Sequence, residues 1–373
     1  MRVCFIDFAP WDYDVATPTE RPLGGSQSAM CYLAAELAKA GHDVTTVTAT
    51  TKPSRIVKGV MCHGPQDPPD KQAFDVVVVL NSPGRGHDLR QHLPSSTRLI
   101  LWTQHATNQD VMRRRLSDPV HRDVWDAIVC VSEWQRDDVV KTYGVELGRT
   151  KVLRNAIAPA FENLFSSHGD LVAAKDSDTL RLAYTSTPYR GLQLLPDIFG
   201  QYHGLNPDAV LEVYSSMAVY MEDGETDRGR FGAFYDAVAA TKGAEHIGSL
   251  SQPDLAQRLR GAHILAYPNA FPETSCIAVM EALAAGLRVV TSDLGALSET
   301  CDGFARLVPI DIDIHDANAF IEMKDEAGYK ADFLNALMRA TYTTAGLYEQ
   351  AVHINTHHTW PVRARQWTEY LNA

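Results

Sequence analysis

Asn269-Ala-Phe-Pro-Glu-Thr-Ser-Cys-Ile-Ala-Val-Met-Glu-Ala-Leu-Ala-Ala-Gly286, running on into Leu-Arg-Val-Val-Thr-Ser292, is the stretch on which the reading of this chain turns. Pro272 blocks an earlier helix start, Thr274 or Ser275 can cap one, and Gly286 ends it before the strand Arg288–Thr291. That order predicts free N–H groups at Ser275, Cys276 and Ile277, and such a helix start binds phosphate through amide hydrogen bonds and the helix dipole. Glu273 stands just before the helix and Glu281 about two turns inside it. From Thr274 to Glu281 a helix rises about 10 Å at ~1.5 Å per residue. Paired hydrolytic carboxylates sit closer, ~5–9.5 Å apart across one bond. The spacing therefore predicts an elongated ligand, with sugar hydroxyls at one end, phosphates in the middle and a ribose at the other. A nucleotide sugar has that form.

Working outward, short apolar runs alternate with helical patterns twice over. Val3–Asp7 reads as a strand and Ser26–Ala40 as an amphipathic helix stopped by Gly41. Val44–Thr48, Val76–Leu80, Leu99–Thr103 and Ala127–Val131 follow as strands, several apolar throughout, as strands covered on both faces must be. The polar stretch Ser166–Asp178 reads as a linker, after which Leu180–Tyr184, Ala209–Tyr214, Ala262–Tyr267 and Arg288–Thr291 form a second array. The expectation is an α/β chain of two doubly wound, Rossmann-like domains facing across a cleft at the carboxyl ends of their strands. The first spans 1–165 with a return segment at 356–373, and the second spans 166–355.

The chain has 373 residues, 45% hydrophobic and 21% charged, enough for two cores and unlike a disordered or disulfide-dense protein. Purely apolar runs such as Val76–Leu80 are far short of the ~20 residues a membrane span needs. Asp7 interrupts the apolar start where an export signal needs its centre, and the six cysteines include no C-x-x-C pair. A cytoplasmic setting is expected. The net charge of −12 argues against nucleic acid as a partner. Residues 1–165 balance 19 basic against 19 acidic side chains, while 166–373 hold 15 against 27, so the deficit lies wholly in the second half.

Glu273 and Glu281 form an E-x7-E pattern, and the P-E-T-S…M-E-A-L-A-A-G-L-R-V-V-T-S around them resembles the GT4-type retaining glycosyltransferases, which have the two-domain GT-B fold. The resemblance implies that Glu273 contacts the donor sugar and Glu281 the nucleotide ribose, with Thr274, Ser275, Cys276 and Ile277 at the phosphates. Leu23-Gly24-Gly25-Ser26 resembles the family's glycine loop, implying that Gly24 and Gly25 bring main-chain N–H groups against the donor diphosphate. It is not a dinucleotide fingerprint, which would open its helix directly after the strand. His105, at the tip of Leu101-Trp-Thr-Gln-His, matches a family histidine near the donor sugar. Arg190-Gly191 matches the cation-glycine pair at the diphosphate, with Arg for Lys. Ser186 and Thr187 stand where a further Gly-Arg is expected, so Thr187 offers a hydroxyl but no charge. Ile247-Gly-Ser249-Leu250 resembles the loop beside the nucleotide base, Asp126–Ser132 and Val152–Asn155 resemble strands of the first domain, and Thr359-Trp360 begins the returning segment.

The resemblance implies a retaining, metal-independent transfer from a nucleotide-diphospho-sugar, UDP- or GDP-linked, to a glycan, glycolipid or small-molecule acceptor. Glu273, His105 and Arg190 would carry the chemistry, and no cofactor beyond the substrate is implied. Acceptor-facing loops are expected at 9–22, 82–87 and 104–110. The D-x-D patterns at Asp12/Asp14, Asp176/Asp178 and Asp311/Asp313 read as chance matches rather than metal–diphosphate sites. Arg113-Arg114-Arg115 reads as a solvated helix face, with weak contact to acidic lipid at the inner face of a membrane, or to an anionic acceptor, as its alternative. Two other classes stay open: a nucleotide-sugar epimerase or hydrolase of the same fold, and a non-catalytic nucleotide-sugar-binding protein.

Overall fold

The structure, a computed structural model, describes residues 1–314 and 323–373. It comprises two compact units, Met1–Ala156 with Trp360–Ala373, and Ile157–Thr359.

The first unit is built on strands β1 (Arg2–Asp7), β2 (Asp43–Val47), β3 (Arg55–Val57), β4 (Val60–His63), β5 (Val76–Leu80), β6 (Arg98–Trp102), β7 (Ala127–Cys130) and β8 (Thr150–Val152). They lie in the order β3-β4-β2-β1-β5-β6-β7-β8. All pairs are parallel except β3 with β4, a hairpin turned by Lys58 and Gly59 at φ 50° and 81°. The four valines and one leucine of β5 are all buried, as a central strand covered on both faces requires. The helix Gly25–Lys39 covers one face and packs against the returning helix Trp360–Asn372. Trp367 is fully buried, edge-on to Trp102 at 5.1 Å and to Phe5 at 6.2 Å. Burying a ring of this size stabilises by about 5 kcal/mol, which ties the end of the chain to the first sheet.

The second unit has β9 (Leu180–Tyr184), β10 (Ala209–Val213), β11 (Ala244–His246), β12 (Ile264–Tyr267), β13 (Arg288–Asp293) and β14 (Ala305–Pro309). Their order is β11-β10-β9-β12-β13-β14, parallel throughout. The chain winds outward from β9 in one direction, then returns to β12 and winds in the other. The winding therefore reverses between β9 and β12, and in such sheets ligands bind beside the carboxyl ends of the strands at that point.

Several expectations need correction. The units divide between Ala156 and Ile157, not after residue 165, because residues 157–165 bond into the second unit. Glu281 accepts the Ala158 N–H, Asn355 accepts the Asn163 N–H, and Phe165 packs with Leu171 and Leu347. The return begins at Trp360 rather than 356, since residues 344–357 form a helix of the second unit. The expected linker contains a helix, His168–Lys175, capped by the Ser167 hydroxyl, with Leu171 fully buried. Strands β3, β11 and β14 lie at sheet edges and β4 is paired to one of them, where continuous apolar runs are not needed. Ile56 of β3 is accordingly 69% exposed.

Candidate active site

Two glycines bring the decisive loops together. After β9 the chain passes through Thr185–Thr187 into a tight turn, Pro188–Arg190, and Gly191 follows at φ 109°. A Cβ at 191 would lie 2.0 Å from the Pro268 carbonyl oxygen, so only glycine lets this loop press against the one after β12. Gly295, at φ 63°, does the same from β13, where a Cβ would lie 2.5 Å from Glu273 O. The Glu273 loop is held further by Ala296 N donating to Glu273 O at 2.7 Å and Phe271 N donating to Asn269 Oδ1 at 3.1 Å. Ser292 Oγ bonds both Asn269 O and the Tyr329 hydroxyl.

This clamping places Glu273 Oε1 2.5 Å from Arg190 Nη1, and the Tyr267 hydroxyl donates to the same oxygen at 2.6 Å. Glu273 is 3% exposed. The Arg190 guanidinium lies 4.6 Å from the Phe271 ring centroid, and Tyr184, the last residue of β9, donates its hydroxyl to Thr187 O at 2.8 Å. Arg190, read as an uncommitted cation for a diphosphate, is therefore already paired with the glutamate assigned to the sugar. Thr187 Oγ1, Thr185 Oγ1 and Arg190 Nε are buried without a well-formed hydrogen bond. Thr187 and Arg190 both also approach the Tyr189 hydroxyl, and these polar groups after one strand suit an anionic or hydroxyl-bearing ligand. The aromatic shell of Tyr184, Tyr267 and Phe271 was not anticipated. Its signal was present, since both tyrosines end central strands of the second array.

The helix carrying Glu281 is shorter than expected. It spans Ile277–Ala284 with Cys276 at the N-cap and no side-chain cap, so neither Thr274 nor Ser275 serves that role. Glu281 lies four residues beyond Ile277, just over one turn in, and the 10 Å estimate built on a helix from Thr274 does not stand. The first helical amides, Ile277 and its neighbour, keep N–H groups that no helical carbonyl can accept. The Cys276 thiol is buried, which pushes its pKa well up and removes it as a nucleophile. Burial also raises the Glu281 carboxyl to about 8, opposed by the Ala158 N–H at 3.2 Å.

Lys175, from the helix that replaces the expected linker, braces this arrangement. Its Nζ reaches Ala285 O at 2.8 Å, at the carboxyl end of the Glu281 helix, Ala262 O at 2.5 Å and Leu259 O at 3.4 Å. Burial lowers the ammonium to about 7. Ser249, in the loop after β11, shares a 2.7 Å hydrogen bond with Ser216 after β10, and Leu250 beside it is half-buried.

In the first unit Gly24 is the N-cap of the Gly25–Lys39 helix, which begins one residue before the Ser26 start expected. Its φ of −55° is open to any residue, so the backbone alone gives no reason for glycine there. Gln27 and Tyr13 both donate to Asp7 Oδ2 at the end of β1, at 3.0 and 2.7 Å. His105 follows β6, and its carbonyl accepts from Gln135 Nε2 at 2.9 Å, while Gln104 N donates to Asn81 Oδ1 at 2.7 Å. Buried amides thus fix the His105 loop.

Most of the D-x-D carboxylates are engaged or exposed. Asp14 pairs with Lys52 and Arg55, Asp12 accepts from Thr50 and Thr51, Asp311 pairs with Lys324, and Asp176 and Asp178 are exposed. Arg113 and Arg114 both pair with Asp110 on an exposed helix face. Among the described residues, no helix is long and apolar enough to cross a membrane.

No family model matches the chain, and no curated protein matches it in sequence. Solved structures do. Sucrose-phosphate synthase from Thermosynechococcus elongatus is 16% identical over 100% of this chain and 98% of that one, with a TM-score of 0.73. WaaG, a glycosyltransferase involved in lipopolysaccharide biosynthesis, is 14% identical over 99% of both chains, with a TM-score of 0.62. Anabaena HepE in complex with UDP-glucose is 13% identical over 100% of this chain and 99% of that one, with a TM-score of 0.65. The chain has the fold of these proteins, two parallel-sheet, Rossmann-like α/β domains of the GT-B class.

Proposed function

We propose that this chain is a cytoplasmic, retaining and metal-independent glycosyltransferase of the GT4 type. It would use a UDP- or GDP-linked sugar and transfer the sugar to a glycan, glycolipid or small-molecule acceptor. The observation that carries the reading is the Arg190–Glu273 pair held by the loops that follow β9 and β12, beside the buried Thr185 and Thr187 hydroxyls. Structural neighbours crystallised with UDP-glucose and with UDP share this fold.

In this reading Ile157–Thr359 holds the donor and Met1–Ala156 with Trp360–Ala373 the acceptor. Glu281 takes the ribose hydroxyls, and Gly24, Gly25, Thr187, Thr274, Ser275, Cys276 and Ile277 line the diphosphate. Ser249 and Leu250 flank the base. As the nucleoside diphosphate departs, negative charge grows on its phosphate, and Arg190 with the helix-start amides stabilises it. Glu273 stabilises the positive anomeric centre, and His105 contacts the sugar. The departing phosphate helps to accept the acceptor's proton, so no side-chain base is required.

The test is a thermal-shift panel of UDP-, GDP-, ADP- and TDP-sugars, followed by turnover with candidate acceptors. Ligand at 100 times Kd should add about 2.7 kcal/mol to stability. Glu273→Gln should lower kcat ~10²-fold or more while leaving affinity for the bare nucleotide unchanged. Glu281→Ala should weaken sugar nucleotide and bare nucleotide alike, by about 1.5–3 kcal/mol. Sugar release without any acceptor would favour an epimerase or hydrolase, and binding without turnover would favour a binding protein.

A further inference from the structure

Asp302, His353 and His358 converge at a place that the proposed reaction does not use. Their ligand atoms, one carboxylate oxygen and two imidazole nitrogens, all lie within 4.8 Å of one another. Asp302 Oδ2 is 2.6 Å from His353 Nε2 and 3.9 Å from His358 Nε2. They come from two separate elements. Asp302 ends the short helix Leu297–Cys301, just before β14. His353 and His358 lie on and just beyond the helix Thr344–His357. None of the three is assigned a part in the proposed reaction, although His358 lies near the Glu281 helix: Ile157 N donates to His358 O, and the next residue, Ala158, donates its N–H to Glu281.

We propose that these three residues form a site for one divalent transition-metal ion of the zinc class, outside the groups assigned to the proposed reaction. Two imidazoles and a carboxylate are a borderline ligand set suited to such ions, and three protein ligands leave a further position for water. Bonds of about 2.0–2.1 Å in a tetrahedron put neighbouring ligand atoms about 3.3 Å apart. The 2.6 Å contact must therefore open and the 3.9 Å contact close, each by under an ångström, and the two imidazole nitrogens, within 4.8 Å of one another, must come to the same spacing. Side-chain rotation supplies that. His353 Nε2 donates its proton to Asp302, so an ion replaces that proton, which shifts to Nδ1 or, from an imidazolium, passes to solvent. Ion and proton compete for one place.

The surroundings hold the ligands in position. His358 is 5% exposed, its N–H donates to Ile354 O at 2.8 Å, and its carbonyl accepts from Ile157 N at 2.9 Å. Phe304 and His357 lean against the His353 ring, with centroids 5.1 and 4.6 Å away. Asp302 sits at φ 49°, where a β-carbon is strained and Asn or Gly is the usual occupant. The chain leaves the second unit just after His358, following Thr359. An ion here would pin the last helix of that unit to the β13–β14 connection before the crossing.

The test uses the full chain stripped with chelator, then titrated with Zn(II) by calorimetry and with Co(II) by visible absorption, at neutral and mildly acidic pH. One ion should bind per chain, the Co(II) bands should report a low-coordinate nitrogen–oxygen site, and acid should weaken binding. Zn(II) should raise the melting temperature. His353→Gln and His358→Gln should abolish binding. Asp302→Asn, which keeps a residue tolerant of positive φ, should weaken it about tenfold or more. Far-UV circular dichroism of each variant confirms that it folds. Absence of stoichiometric binding in the unaltered chain would reduce the cluster to an ion pair and overturn the proposal. Binding that survives the double His353→Gln/His358→Gln substitution would do the same.

Discussion

Arg190 and Glu273 form a largely buried ion pair, Nη1 to Oε1 at 2.5 Å, with side chains 22% and 4% exposed. Each comes from the carboxyl end of one of the two strands between which the winding of the second sheet reverses. The pair is both part of the fold and part of the proposed chemistry, so its removal must be read on two scales.

Arg190→Ala should destabilise the second unit by about 3–5 kcal/mol, the cost of leaving one charge of a buried pair uncompensated. The double variant Arg190→Met/Glu273→Gln should lose clearly less, because neither charge remains. Urea denaturation of both variants and the parent measures this. Equal losses for the single and double variants would mean that the pair contributes packing but no electrostatic coupling.

Glu281 gives a pH dependence whose sign follows from its burial. Its folded value is about 8 against an ordinary 4.5. Between these limits the unfolded chain has released the proton and the folded chain retains it. Stability from this group therefore falls as pH rises through that window, by about 1.4 kcal/mol per pH unit at most. It is fully present below the unfolded value and changes no further above the folded one. Glu281→Gln should flatten this component, seen as a smaller stability difference between pH values near the two limits. Ribose hydroxyls need the carboxylate as acceptor, so nucleotide binding near neutral pH should release up to one proton. Calorimetry in buffers of different ionisation enthalpy reads that release, and Glu281→Gln should eliminate it.

Lys175→Met keeps the aliphatic stem and removes the donor shared by Leu259 O, Ala262 O and Ala285 O. Buried carbonyls left unpaired cost about 1–3 kcal/mol, which should appear as a lower urea midpoint. The ammonium titrates at about 7 when folded, against an ordinary 10.5. Between these values the unfolded chain holds the extra proton, so stability from this group rises with pH across that window. The Met variant should lack that rise. Because Ala285 ends the Glu281 helix, nucleotide affinity should fall in the same variant.

The central strands were legible because burial on both faces forces unbroken apolar runs. Val76–Leu80 and Leu180–Tyr184 coincide with β5 and β9. Edge strands such as Arg55–Val57 escape that constraint and left no such trace. Residues 166–178 read as a linker because their polar residues outnumber the one, Leu171, that anchors the helix in the core. The Glu273 loop is legible through Pro272 and Gly286, but its helix begins later than the residue types suggest. Thr274 and Ser275 are capping residues by type, whereas Ala296 N and Gly295 hold this loop in a non-helical path. The Arg190–Glu273 contact is separated by 83 residues and depends on sheet order, which no local pattern encodes.

Gly295 provides a test of whether this loop geometry matters to function or only to folding. Gly295→Ala meets two costs: a backbone at φ 63°, and a Cβ placed 2.5 Å from Glu273 O and 2.8 Å from Glu273 N. Gly144, at φ 67° with nothing within 4 Å of a built Cβ, carries the first cost alone. Gly144→Ala should therefore cost about 1–2 kcal/mol from the left-handed conformation and leave kcat unchanged. Gly295→Ala should cost more, because backbone atoms of residues 272 and 273 must give way. Their displacement moves the Glu273 carboxylate off Arg190 and Tyr267, so kcat should fall by a large factor, as a misplacement of about 1 Å can cost ~10²-fold. The comparison is made at a temperature well below both melting transitions, with denaturation curves and turnover measured on the same preparations. If the two variants lose equal stability and Gly295→Ala keeps full turnover, the loop has room that the structure does not show, and the Glu273 placement is not what limits the reaction.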